Sequence, residues 1–212
     1  MMPGPGLAMC LRHAKSACRN AAAILEVLER LLPRPARVLE LGSGTGEQAV
    51  LFAARMPWLE WQPSDPDEAS RASIAAWTAR AGTPNVRPPL DLDLLAPTWR
   101  LQRCDALVCV SVLHVAPPEA TAALLAGAGA VLPQGGPLVL GGPFRRRSGR
   151  GSPFEESAPA ARGEELLPDE GATVLGAARH GLGLEERRVL EDGTLLLVLR
   201  KEVNPGLGLR RQ

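Results

Sequence analysis

Nine residues, Val38-Leu39-Glu40-Leu41-Gly42-Ser43-Gly44-Thr45-Gly46, constrain this chain more than any other segment. Residues 37–41 read as a short apolar strand that runs straight into a glycine-rich turn. Residues 47–56 then read as a helix stopped by Pro57. Strand, glycine turn and helix in that order form the setting in which a protein backbone approaches a nucleotide. Gly42 and Gly44 permit a tight turn and a close approach to ligand. A dinucleotide would want G-x-G-x-x-G, because its pyrophosphate rests against the helix N-terminus. Here Glu47 follows Gly46, and a carboxylate repels a pyrophosphate. S-adenosylmethionine carries an ammonium and a sulfonium and no phosphate, and Glu40 at the strand end suits a cation in the same way. The turn therefore points to S-adenosylmethionine, with Glu40, Gly42, Ser43, Gly44 and Gly46 as its expected contacts.

The rest of the chain alternates in the same manner. A helix is expected over residues 20–32, where Ile24, Leu25, Val27, Leu28, Leu31 and Leu32 recur at helical spacing before Pro33 and Pro35. Residues 59–63 are a second strand candidate and 70–81 a helix closed by Gly82. Residues 86–90 form a third strand candidate. Residues 106–110 are apolar throughout, as in a strand buried on both faces. A helix opening at Pro118 and a strand at 138–140 follow, then helical character from 169 to 180. Residues 184–190 and 194–200 read as a hairpin joined by Glu191-Asp192-Gly193. This pattern predicts an α/β fold: a doubly wound, mostly parallel, seven-stranded sheet closed by a C-terminal antiparallel hairpin. One domain is expected over residues 17–201, after an irregular arm at 1–16 and before a tail at 202–212. Residues 145–163, rich in Arg, Gly, Ser and Pro without periodicity, read as a mobile insert.

Three further positions fall at strand ends, where ligands sit in open parallel sheets. Asp65 closes Trp61-Gln62-Pro63-Ser64-Asp65, about 20 residues beyond the glycines. A carboxylate there accepts hydrogen bonds from both ribose hydroxyls; the plainer reading is a turn aspartate next to Pro66 and Asp67. Asp91-Leu92-Asp93 offers a carboxylate for the adenine amine, or simply two solvated acids. Ser111 and His114 follow the apolar strand and would face the methyl donor or its acceptor. His114 is the best placed of three histidines to take a proton. Its alternative is a histidine packed at a helix start. Methyl transfer is an in-line displacement that positioning alone can drive, so catalysis does not require this base.

Composition excludes more than it specifies. The 212 residues suffice for one α/β domain. Formal net charge is +1 with acids and bases interspersed, so nothing points to nucleic acid or an anionic membrane. Cys10, Cys18, Cys104 and Cys109 form no CxxC and have no zinc-ligand spacing, which fits a reducing compartment. No apolar run approaches the roughly 20 residues of a membrane helix. A cytoplasmic protein is expected. The acid-free first 23 residues, with Arg12, Lys15 and Arg19, keep a mitochondrial address as the alternative.

Several segments together resemble the small methyltransferase-like proteins grouped with methyltransferase-like protein 26. They are Arg19-Asn20, Ile24-Leu25-Glu26-Val27-Leu28, the glycine turn, Leu59-Glu60-Trp61-Gln62-Pro63-Ser64-Asp65, Asn85-Val86, Leu92-Asp93, His114 and Gly142-Pro143-Phe144. The Trp-Gln-Pro-Ser-Asp run is the most specific. The likeness covers about the first two-thirds of the chain and implies a class I methyltransferase fold. It implies that Glu40, the glycines, Asp65 and Asp93 contact the cofactor, with Asp93 preferred to Asp91. Ser111 stands where that family usually has Asn, and Glu191-Asp192-Gly193 replaces its expected Asn pair. The family's stretch after the fifth strand is not recognisable between Arg145 and Pro168. The resulting expectation is an S-adenosylmethionine-binding protein, a methyltransferase acting on an unknown acceptor. A non-catalytic binding protein on the same fold is the alternative. A nicotinamide-dependent oxidoreductase is disfavoured by Glu47 and by the absence of tyrosine, on which many small reductases depend.

Overall fold

The computed structural model describes residues 15–99, 104–145 and 167–203, leaving out the side chains of residues 15–19. The expected arm, insert and tail fall almost wholly outside these residues. Eleven elements follow one another: α1 (Lys15–Leu31), β1 (Ala36–Leu41), α2 (Glu47–Arg55), β2 (Leu59–Ser64), α3 (Glu68–Ala81), β3 (Ala106–Val110), α4 (Ala120–Val131), β4 (Pro137–Gly142), α5 (Glu170–Arg179), β5 (Leu182–Val189) and β6 (Leu195–Lys201). The strands form one sheet in the order β2-β1-β3-β4-β6-β5. β2, β1, β3 and β4 are mutually parallel, and β6 joins β4 and β5 antiparallel.

Alternate residues of each strand feed two cores. Val38, Ala106, Val108, Val139, Leu196 and Val198 pack under α1 and α2, against Ile24, Leu28 and Phe52. Leu39, Leu107, Leu138, Leu140, Leu197 and Leu199 pack on the other face with Leu124, Leu125 and Ala177 of α4 and α5. β3 is buried at all five positions because helices cover both its faces. The helix boundaries have local causes. Asp67 and Asp169 accept from the backbone N–H groups of Ser70 and Ala172, capping α3 and α5. Gly82 ends α3 in the left-handed conformation. The Asn85 amide donates to the carbonyls of Ala53, Met56 and Leu59, tying the end of α2 to the start of β2.

The sheet of the described residues has six strands where the sequence pattern predicts seven. The segment at residues 85–90 does run parallel to β2, but only through isolated bridges at Val86 and Leu90. Trp61 and Asp65 donate to the carbonyls of Asn85 and Leu90, and Arg87 and Leu90 donate back. Pro88 and Pro89 lie between and have no N–H, so the ladder is interrupted there. The hairpin turns at Glu191-Asp192-Gly193 as expected, between Leu190 and Thr194, with Gly193 at φ +85° and a register shift in β5 between Leu184 and Glu186. Among the described residues, no helix is long and apolar enough to cross a membrane.

Candidate cofactor site at the strand ends

β1 and β3 leave the sheet centre for helices on opposite faces, which opens a crevice at their carboxyl ends. The glycine turn sits there. Gly42, Gly44 and Gly46 have φ of +66°, +55° and +87°, so all three occupy the left-handed region. They differ in what surrounds them. A side chain on Gly42 would strike Val112 at 2.7 Å, and one on Gly46 would strike the Ile74 Cα of α3 at 2.7 Å. A Cβ on Gly44 would meet nothing within 4 Å. Gly42 and Gly46 are thus close-packing positions, while Gly44 faces open space.

Trp61, Ser64 and Asp65 hold this turn in shape, while Gln62 ties the run to the segment beyond α3. Trp61 Nε1 donates to Glu40 Oε2 at 3.1 Å. The Gln62 amide donates to the Pro88 carbonyl at 2.7 Å. Ser64 Oγ donates to the Glu40 carbonyl at 2.7 Å, and its N–H donates to Ser43 Oγ at 3.2 Å. Ser43 N–H returns a bond to the Ser64 carbonyl at 2.9 Å. Asp65 accepts from Gly44 N–H at 2.9 Å and from Asp67 N–H at 3.0 Å.

The turn forms one wall of a hollow of about 310 Å³. Its remaining walls come from Val110 at the end of β3, Ser111 and His114 after it, Pro143 after β4, Asn20 and Ile24 of α1, and Asp192 and Thr194 of the hairpin turn. The described lining includes Glu40, Glu47 and Asp192 and no lysine or arginine. Glu40 is only 4 % exposed, and its Oε2 takes both the Trp61 and the Ser43 hydrogen bonds. Burial, opposed by those two bonds and reinforced by the Asp65 charge, raises its carboxyl above the ordinary 4.5. Burial likewise lowers the His114 imidazole below 6.5, so it is neutral at pH 7. Its Nδ1 is buried without a hydrogen-bond partner among the described residues. Ser111 is the one described non-glycine residue with positive φ, at +59°, and its N–H donates to the Gly141 carbonyl at 2.7 Å.

Six expected site residues therefore line one hollow: Glu40, Gly42, Ser43, Gly44, Ser111 and His114. Asp93 lines a second hollow of about 210 Å³, formed by residues from Leu90 to Trp99. There Asp93 is exposed and accepts from Leu95 N–H at 2.9 Å. Gly46 and Asp65 line neither. Gly46 is buried against α3, and Asp65 is spent on the turn it braces, though each carboxylate oxygen keeps a second lone pair. Asn20 falls in a segment that carries the resemblance and Asp192 in the expected hairpin turn, but neither they nor Thr194 are expected as site residues. Asn20 Nδ2 donates to Thr194 Oγ1 at 2.9 Å across 174 positions of sequence, and no local pattern announces such a pair. Among the described residues, no group of three His, Cys, Asp or Glu could hold a metal ion.

A family model described as protein of unknown function (DUF938) matches residues 11–158, more than half of the chain. The chain belongs to the DUF938 family. The matched span of this DUF938 protein carries the glycine turn, the Trp61–Asp65 brace and the post-β3 residues. Its fold is that of class I S-adenosylmethionine-dependent methyltransferases. The CcbJ methyltransferase from Streptomyces caelestis superposes with a TM-score of 0.71 at 14 % identity, covering 93 % of this chain and 96 % of that one. An Aquifex aeolicus S-adenosylmethionine-dependent methyltransferase gives 0.68 at 13 % identity, covering 94 % and 100 %. SibL, an S-adenosylmethionine-dependent methyltransferase in its apo form, gives 0.69 at 17 % identity over 89 % of this chain. The DUF938 chain spans 56 % of the length of SibL and 61 % of PhzM.

Proposed function

We propose that this DUF938 protein binds S-adenosylmethionine in the hollow beside the glycine turn and transfers its methyl group to an acceptor. The observation that carries the reading is the combination of an open Gly44 with an acidic wall. Gly44 presents bare backbone to free space, as a close-approaching ligand requires. Glu40 is buried at the same wall, yet Oε1 has no hydrogen-bond partner among the described residues. A carboxylate held this way calls for a cation, and the amino group of S-adenosylmethionine supplies one. Glu47 at the start of α2 opposes a pyrophosphate. The likeness of the Trp61–Asp65 run to methyltransferase-like protein 26 proteins and the fold both support the reading.

Glu40, Ser43 and the Gly44 backbone would hold the amino-acid end. Asp65, through its remaining lone pairs, would accept from the ribose, and Asp93 in the second hollow would meet the adenine edge. When bound, the cofactor supplies an electrophilic methyl group on a sulfonium. The chain's own part is to orient that group and exclude water, with His114, neutral and open to the hollow, placed to take a proton from an acceptor. The test is incorporation of labelled methyl from the donor into a cell extract. Label incorporated by the intact protein and lost with Gly44→Ala supports transfer. Binding of the donor without incorporation from any extract would make this a binding protein instead.

A further inference from the structure

Asn20 is fixed in one orientation by partners that leave no choice. Asp192 accepts from Thr194 N–H at 3.0 Å through Oδ1 and from Asn20 Nδ2 at 2.8 Å through Oδ2. A carboxylate only accepts, so the amide nitrogen of Asn20 must face the hairpin turn. Thr194 Oγ1 takes a second bond from the same nitrogen. Asn20 Oδ1 is consequently turned away from the hairpin turn and has no hydrogen-bond partner among the described residues, while Asn20 lines the hollow. This carbonyl belongs to α1 and is pinned by the β5–β6 turn, outside the β1–α3 half that carries the glycine turn. His114 and Ser111 line the same hollow.

We infer that the methyl acceptor is an amine and that Asn20 is its specificity-determining contact. The inference rests on the cofactor reading above, in which Glu40 meets the donor's amino group. The remaining fixed group, Asn20 Oδ1, can only accept a hydrogen bond. It therefore selects an acceptor with a polar hydrogen to give, and a hollow whose described charges are all negative favours one that arrives as a cation, an amine over an alcohol. A carboxylate, phosphate or thiolate acceptor would face the carboxylates of Glu40 and Glu47. An amine arrives from water as an ammonium. His114 takes one proton, and the freed nitrogen lone pair forms the new N–C bond to the methyl carbon. The C–S bond breaks with its electron pair going to sulfur, so the sulfonium becomes a neutral thioether and the charge passes to the methylated ammonium. His114 returns its proton to solvent.

The full chain is first titrated calorimetrically with S-adenosylhomocysteine, then incubated with labelled donor and a small-molecule cell extract. The inference predicts label in species that bind a cation exchanger at mildly acidic pH and survive alkali. Asn20→Leu should raise the KM for the labelled amine fraction about ten- to a hundredfold with kcat and S-adenosylhomocysteine affinity nearly unchanged. Thr194→Val, which leaves the Asp192 bond in place, should give a smaller rise in the same direction. In the loaded protein, benzylamine should raise the melting temperature more than benzyl alcohol or benzoate does. Label released by alkali as methanol, or found in neutral or acidic species, overturns the amine assignment and leaves the cofactor reading standing. An unchanged KM in Asn20→Leu overturns the role of Asn20. Failure to bind S-adenosylhomocysteine overturns the cofactor reading and this inference with it.

Discussion

Gly44 and Gly46 share a motif and a backbone region, yet their surroundings separate them. Gly44→Ala adds a methyl to open space and costs only the left-handed penalty, about 1–2 kcal/mol of stability. It should still abolish cofactor binding in a calorimetric titration. Gly46→Ala pushes against the α3 backbone and should lower the unfolding midpoint further, because a helix must move. Equal stability loss in both variants would show that α3 yields. Glu40 is a second residue with a dated cost. Its carboxyl is raised by burial, so the folded state holds the proton more tightly than the unfolded chain and stability falls as pH rises from 4.5 through the raised value. Glu40→Gln should therefore melt higher than the parent above that range and equal it below pH 4.5, while binding the cofactor more weakly. His114 runs the other way: lowered by burial, it stays neutral down to a pH below 6.5. If it is the base, kcat/KM should fall with decreasing pH through that lower value, and His114→Ala should lose the acid limb.

At the scale of elements, the segment after β3 carries strain that the sequence hints at. Ser111 sits at φ +59°, where asparagine is tolerated better than serine. The resembling family usually has Asn there, and the backbone explains why. Ser111→Asn should raise stability by several tenths of a kcal/mol in urea unfolding; a decrease would mean that the strain is relieved elsewhere. The α3 cap adjoins the brace, since the Asp67 N–H also donates to Asp65 Oδ1. Asp67 is exposed and accepts from both the N–H and the Oγ–H of Ser70, so Asp67→Ala should lower the urea midpoint, while its backbone bond to Asp65, and with it cofactor affinity, is kept.

Across the whole molecule, the elements legible in sequence were those with a strong local signature. β3 matched its apolar run, and the helices stopped at Pro57 and Gly82 as glycine and proline chemistry requires. The segment at 85–90 fell short of a strand because Pro88 and Pro89 cannot donate, a rule available in the sequence but outweighed by its apolar ends. The site was half legible. Motif spacing singled out the glycine turn, Ser111 and His114, which lie beside strand ends and line one hollow. It could not separate Asp65 as a brace from Asp65 as a ligand group, because both use the same carboxylate at the same place. Nor could it pair Asn20 with Thr194, since their meeting depends on how the first helix and the last hairpin pack over the sheet. Above all, we propose that the acidic hollow takes an adenosyl sulfonium rather than a dinucleotide. Calorimetric titration of the full chain with S-adenosylmethionine, S-adenosylhomocysteine and NAD tests it most directly. Micromolar binding of the adenosyl ligands, on the order of −8 kcal/mol, with no heat from NAD is the predicted result; tight NAD binding with no response to either adenosyl ligand would contradict it.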